Sequence, residues 1–243
     1  MAGESLPGTR VNVSDVSSIV GVQERVIACR ACPRLVDWRE EVARVKRRMY
    51  RDETYWGAPL AAFGDPHARL LVVGLAPAAH GGNRTGRMFT GDRSGDWLFG
   101  ALYRAGFANQ PESVRAGDGL ELNQALISAA ARCAPPANKP TVEELATCRP
   151  YIAREIELLT DLRVVVALGR IAFDAFLRAY ADAGGTLPSR KPPFGHNVAS
   201  QLPDGGPLLI ACYHPSQQNT QTGRLTLDML DAVFQRARQV LDG

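Results

Sequence analysis

The chain has 243 residues, of which 45% are hydrophobic and 22% charged, with a formal net charge of +3. That balance describes a globular protein with a sizeable core and does not by itself call for a polyanionic partner, so any nucleic-acid role must rest on where the basic residues cluster. No apolar run approaches the roughly 20 residues of a membrane span, and the N-terminal MAGESLPGTRVNVSD has neither a basic n-region nor an apolar h-region. Five cysteines without a secretory signal point to reduced thiols or metal ligands in a cytoplasmic protein, not to disulfides.

Residues 1–12, rich in Gly, Ser and Pro, read as a disordered tail before a single domain over 13–243. Ser14 or Asp15 is the expected cap of a first helix running to Ala28, and Pro33 opens a second that reaches about Tyr50. The second ends in the basic run Lys46-Arg47-Arg48, ordinarily a solvated helix face. The loop that follows, Tyr55 to Pro59, presents exposed-looking aromatics. Leu70 to Val73 is an apolar run of the kind that forms a strand buried on both faces. Ser94 then reads as the N-cap of a helix stopped at Gly106.

Ala125 to Arg132 is a second expected strand. Thr141 and Glu144 match a capping box, opening a helix that Pro150 breaks or kinks before it continues to about Leu162. Val164 to Gly169 and Leu208 to Cys212 complete the expected strands, with a helix to about Ala183 between them, mostly loop from Gly184 to Gly206, and a terminal amphipathic helix over Leu225 to Leu241. Strands alternating with helices indicate an α/β fold, doubly wound around a mainly parallel sheet.

Two loops and two cysteine pairs carry the chemistry. The stretch from Gly74 to Asp96 follows the first expected strand and combines Gly81, Gly82, Gly86 and Gly91 with Arg84, Arg87, Arg93, His80, Met88-Phe89 and Asp92. In an open parallel sheet, ligands bind beyond the carboxyl ends of the strands, where this loop must lie. Tyr213 to Asn219 emerges from the last strand at the same edge and brings His214 with it, the one histidine with that placement. Cys29 and Cys32 form a C-x2-C turn, and Cys133 and Cys148 a second pair. The spacing leaves zinc, an iron-sulfur cluster and plain buried thiols all open. Cys212, inside an apolar strand, reads as core.

GLAPAAHGGNRTGRMFTGD (Gly74 to Asp92), RCAPPANKPT (Arg132 to Thr141) and HPSQQNTQTGR (His214 to Arg224) together resemble the uracil-DNA glycosylase superfamily, most closely its family-5 or B-type iron-sulfur branch. The resemblance runs from about Cys29 to the end. It implies a single three-layer α/β/α domain with a central, mainly parallel four-stranded sheet, and removal of deaminated bases from DNA. It also implies that Cys29, Cys32, Cys133 and Cys148 hold a structural [4Fe-4S] cluster. A backbone amide near Ala78 would contact the base, Phe89 would stack on it, and His214 would contact a uracil carbonyl. Many superfamily members carry Asp, Asn or Glu just after the Gly-x-x-Pro turn, whereas this chain has Ala78-Ala79.

Alanine cannot orient or deprotonate water, so the polar group must come from elsewhere in the loop. Asp92 is the favoured candidate over Asp96, because it precedes the expected cap Ser94. Asn138 is a further candidate contact to uracil or water, and Arg84, Arg87, Arg93, Lys139 and Arg224 are candidates for phosphate contacts. The expected partner is double- or single-stranded DNA carrying damaged bases, bound by a monomer associated with the nucleoid. The expected activity is hydrolytic excision of uracil, with hypoxanthine among other deaminated bases, leaving an abasic site. Two other readings stand beside it: a non-turnover or covalently trapping uracil-DNA binder, and an iron-sulfur redox protein.

Overall fold

The computed structural model describes residues 11–243, so all but the last two residues of the expected tail lie outside the described residues. In chain order the elements are α1 (Ile19–Ile27), α2 (Pro33–Val45), β1 (Phe63–Gly64), β2 (Leu70–Gly74), α3 (Gly82–Thr85), α4 (Arg93–Arg104), β3 (Ala125–Ala129), α5 (Val142–Leu158), β4 (Val164–Leu168), α6 (Arg170–Asp182), β5 (Val198–Gln201), β6 (Leu208–Cys212), α7 (Gln217–Gln221) and α8 (Leu227–Asp242). The sheet has six strands in the order β1-β3-β2-β4-β6-β5. The inner strands β3, β2, β4 and β6 are parallel, with Leu70 opposite both Ala125 and Val164, and Val164 opposite Leu208.

Continuous apolar runs form these inner strands because both of their faces are covered. Leu70 and Val72 point into one core with Leu98 and Leu102 of α4 and Val233 and Phe234 of α8. Leu71 and Val73 point the opposite way, into a second core with Ile152 and Ile156 of α5 and Phe173 and Phe176 of α6. The α/β class and the mainly parallel sheet are therefore as the sequence indicates. Two short antiparallel edge strands, β1 and β5, extend the four expected strands to six. A two-residue strand is too short to show a period, and Val-Ala-Ser-Gln has no apolar run to announce it.

Several element ends differ from expectation, each for a local reason. Ser18, not Ser14 or Asp15, caps α1, its side chain accepting from the Gly21 N–H. Helix α2 stops at Val45 because Lys46 turns to φ +58°, and Arg48–Tyr50 forms a separate 3-10 turn. The third strand ends at Ala129, so Ala130 to Arg132 belong to the loop beyond it. Pro150 sits inside one uninterrupted helix, α5, which begins with the expected capping box. Among the described residues, no helix is long and apolar enough to cross a membrane.

Candidate active site

Three loops leave the carboxyl ends of β2, β3 and β6 and enclose a cavity of about 820 Å³, within the range of small-molecule sites. Ala78, Phe89, Asp92, Arg93, Asn138 and His214 all line it. The parallel sheet thus brings together six residues from three separate stretches of sequence. Arg47, Tyr50, His80 and Gln217 also line it, and none of these was singled out as a site residue from the sequence. The signal for Arg47 was the basic run Lys46-Arg47-Arg48, which reaches the cavity because α2 ends early. His80 corrects the expectation that His214 alone has this placement.

Asp92 is the N-cap of α4, a role the sequence pattern assigned to Ser94. Its Oδ1 accepts from the Ser94 N–H at 2.9 Å and the Gly95 N–H at 3.2 Å. Those bonds fix the carboxylate and leave Oδ2 toward Gly81, where a Cβ would collide with it. Burial raises the Asp92 pKa, while the two N–H donors pull it back down. The positive end of the helix favours the charged form as well. Asp92 is therefore an oriented carboxylate with one oxygen free.

Phe89 is held in the left-handed region at φ +52°, a conformation rare for a bulky side chain and concentrated at functional sites. Its ring lies 5.9 Å from the His214 ring at an interplanar angle of 29°. Two glycines make room for it. A Cβ on Gly74 would meet the Phe89 ring at 2.7 Å, and one on Gly95 would collide with the Phe89 carbonyl. Ala137 and Asn138, on the second wall, have φ of +52° and +56°.

On the third wall, the Asn219 Nδ2 donates to the His214 carbonyl at 2.8 Å, and Ser216 caps α7. Burial drives the His214 pKa down to about 4, so the ring is neutral at physiological pH. His80 Nδ1 meets the Tyr55 hydroxyl at 3.0 Å, which buries Tyr55 and leaves Trp56 the exposed aromatic of that loop. Burial, then Arg47 and Arg84, lower the His80 pKa.

The five arginine and lysine candidates divide sharply. Arg93, Lys139 and Arg224 are exposed, Arg93 at the cavity and Arg224 over the Tyr213 ring at 4.7 Å. Arg84 instead turns inward, donating to the His80 and Gly91 carbonyls, pairing with Glu53 and lying 4.0 Å from the Tyr50 ring. Arg87 is buried in a bidentate pair with Asp118 at 2.7 and 2.6 Å, with further bonds to Ser113 and Thr90. Its guanidinium is spent on holding the loop, which leaves it unsuited to phosphate contact.

Cys29, Cys32, Cys133 and Cys148 come from α1's end, the cap of α2, the loop after β3, and α5. Burial raises the Cys32 pKa to about 11, the Cys148 pKa to about 12 and the Cys133 pKa upward as well, and neighbouring cysteines of the set add to each of these shifts. Among the described residues, no group of three His, Cys, Asp or Glu is gathered so as to hold a metal ion. Two buried cations flank the thiols. Arg39 donates to the Cys133 Sγ at 2.9 Å, and its Nε has no partner among the described residues. Arg132 pairs with Glu155 through Nη2 while its Nε and Nη1 are likewise unpartnered. Buried cations require compensating negative charge, so this donor set suits a group that carries thiolate charge into the core. Cys212 is fully buried, as expected of a core residue.

Residues 61–238 match the sequence profile of the family described as the Uracil DNA glycosylase superfamily. The chain is 54% identical to a type-5 uracil-DNA glycosylase of Mycobacterium tuberculosis, over 92% of this chain and 82% of that protein. It is 50% identical to a type-5 uracil-DNA glycosylase of Thermus thermophilus, over 89% and 95% of the two chains. A third relative, from Pyrobaculum aerophilum and also named type-5 uracil-DNA glycosylase, is 46% identical over 88% and 89%. With a match covering most of its length, and a cavity assembled by the three loops that the resemblance rested on, the chain belongs to the uracil-DNA glycosylase superfamily.

Proposed function

We propose that the protein is a DNA repair glycosylase that flips uracil, and other deaminated bases such as hypoxanthine, out of DNA and hydrolyses the N-glycosidic bond. The observation that carries this reading is the convergence of an oriented carboxylate, a neutral imidazole and a strained aromatic in one cavity. A base within a duplex is out of reach, so extrusion into a pocket comes first, at a cost of a few kcal/mol. Phe89 offsets part of that by stacking on the base. The neutral His214 donates a hydrogen bond to the uracil carbonyl, on which negative charge grows as the bond breaks. Asp92 Oδ2 orients water toward C1′ and stabilises the positive charge on the sugar. Arg93, Lys139 and Arg224, all exposed, would grip the phosphates of a single or double strand.

Ala78 and Ala79 add no polar side chain to the cavity, so its discrimination among bases rests on backbone groups, Asn138 and His214. Broad specificity is the consequence: uracil is expected to be excised fastest and hypoxanthine measurably. Excision rates for oligonucleotides carrying uracil, hypoxanthine or thymine test this, and strict uracil-only activity would sink it. Cys29, Cys32, Cys133 and Cys148 would hold a [4Fe-4S] cluster, supported by the four soft donors and the two under-satisfied arginines beside them. Bound there, it would supply a cross-link among α1, α2, α5 and the loop after β3. As a cytoplasmic monomer the protein would act directly on the nucleoid.

The pH dependence follows from the two site groups. His214, held near 4, stays neutral across the ordinary histidine range, and Asp92, though raised by burial, loses its charge only on the acidic side. Falling pH protonates Asp92 and removes the charged acceptor that orients water, whereas a protonated His214 would still donate. Single-turnover excision is expected to show no step near 6.5 and to decline only on the acidic side, as Asp92 takes up a proton. A limb centred on 6.5 in the wild type would contradict the neutral-donor role.

A further inference from the structure

Arg39 lies between the cysteines, which its side chain contacts, and Asn83, which in turn bonds the cavity wall. It is 2% exposed on α2 and donates through Nη1 to the Cys133 Sγ at 2.9 Å. Nη1 and Nη2 lie 3.4 and 3.3 Å from the Cys29 carbonyl. Its nearest carboxylate, Glu40, is 3.8 Å away, half-exposed and already paired with Arg30. A buried guanidinium so poorly supplied with carboxylates would gain its compensating charge from the sulfurs once they ligate a cluster as thiolates.

The backbone of the same residue faces the other way. The Arg39 carbonyl accepts from the Asn83 Nδ2 at 3.2 Å, and Asn83 is fully buried. The same amide lies 3.4 Å from the Ala79 carbonyl, and the Asn83 N–H donates to the Ala78 carbonyl at 3.1 Å. Asn83 therefore ties α2 to the turn that lines the base cavity at Ala78 and Ala79. A continuous path of polar contacts runs from a cysteine sulfur to the cavity wall: Cys133, Arg39, Asn83, Ala78.

We propose that Arg39 and Asn83 are positioning residues through which the four-cysteine centre holds the base-cavity turn in place. Arg39 docks α2 onto the charged sulfurs, and Asn83 transfers that fixed position to the turn. This rests on the glycosylase and cluster readings above, and a cluster bound there would act mechanically on the base-cavity turn.

The test uses the purified full chain, wild type and three variants: Arg39→Met, Arg39→Lys and Asn83→Ala. Bound iron, visible absorption, reduction midpoint and single-turnover uracil excision are measured on each. Arg39→Met removes a positive N–H donor from sulfur, which favours the more oxidised cluster. Its midpoint is expected to move to more negative values and its chromophore to bleach in air several-fold faster, with Arg39→Lys intermediate. Asn83→Ala is expected to keep wild-type iron and midpoint, while the DNA concentration giving half-maximal rate rises about tenfold, because the turn is loosened and the carboxylate is untouched. A wild-type midpoint and bleaching rate in Arg39→Met, or wild-type excision in Asn83→Ala, would overturn the proposal. Should Arg39→Met fail to fold, an unshifted midpoint in Arg39→Lys has the same force. Wild-type protein that excises uracil but holds no iron would refute the cluster reading and this proposal while leaving the glycosylase reading intact.

Discussion

Asp92→Asn is expected to lower the single-turnover rate of uracil excision by about 10²–10⁴-fold, the span typical of losing a positioned general base, while DNA affinity stays near that of the wild type. Asparagine is the informative replacement because its carbonyl oxygen can still accept from the Ser94 and Gly95 N–H groups that Asp92 Oδ1 now satisfies. The helix cap survives and the free charged oxygen does not. Asp92→Ala removes both, adding a loss of about 0.5–2 kcal/mol of stability from the missing cap. Comparing the two variants by excision rate and thermal melting separates the chemical role from the structural one. An unchanged rate in Asp92→Asn moves the water-positioning role to another group.

Glu155→Ala is expected to be the most destabilising single change in the core. Glu155 is wholly buried on α5 and its Oε2 accepts from Arg132 Nη2 at 2.6 Å and from the Ser128 hydroxyl at 2.7 Å. Removing it strands a guanidinium that is 1% exposed. Breaking a buried pair from one side costs about 3–5 kcal/mol, which for a chain of this size lowers the melting temperature by roughly 6–20 °C. The double variant Glu155→Leu with Arg132→Met removes both charges and is expected to regain much of that loss. Calorimetry or circular dichroism melts of the single and double variants check the pattern, and equal melting of Glu155→Ala and wild type would contradict it.

The parallel core was legible because its strands are apolar runs, LLVVG and VVVAL among them, whose burial on both faces needs no period-2 pattern. What escaped were features with no such periodicity. Strand β1 is two residues long, and β5 has mixed polarity. The cap of α4 was misplaced by two residues because Asp92 and Ser94 are both good caps, and only the fold decides which turns first. That shift sharpens the site, since the residue chosen for chemistry is also the one the helix end holds rigid. Arg84 and Arg87 read as candidate phosphate contacts, yet Glu53 and Asp118, distant in sequence, draw them inward. His80 was visible in the motif but could be placed in the cavity only once the turn after β2 had a path.

The measurement that tests the account most directly is release of free base from a duplex containing one uracil, followed through several turnovers by the wild-type protein and by Asp92→Asn. Wild type is expected to release free uracil and leave an alkali-labile abasic site, turning over many times. Asp92→Asn is expected to bind the same duplex and release uracil at least about a hundredfold more slowly. DNA retained without free uracil, or a covalent adduct that accumulates once per chain, would contradict the account.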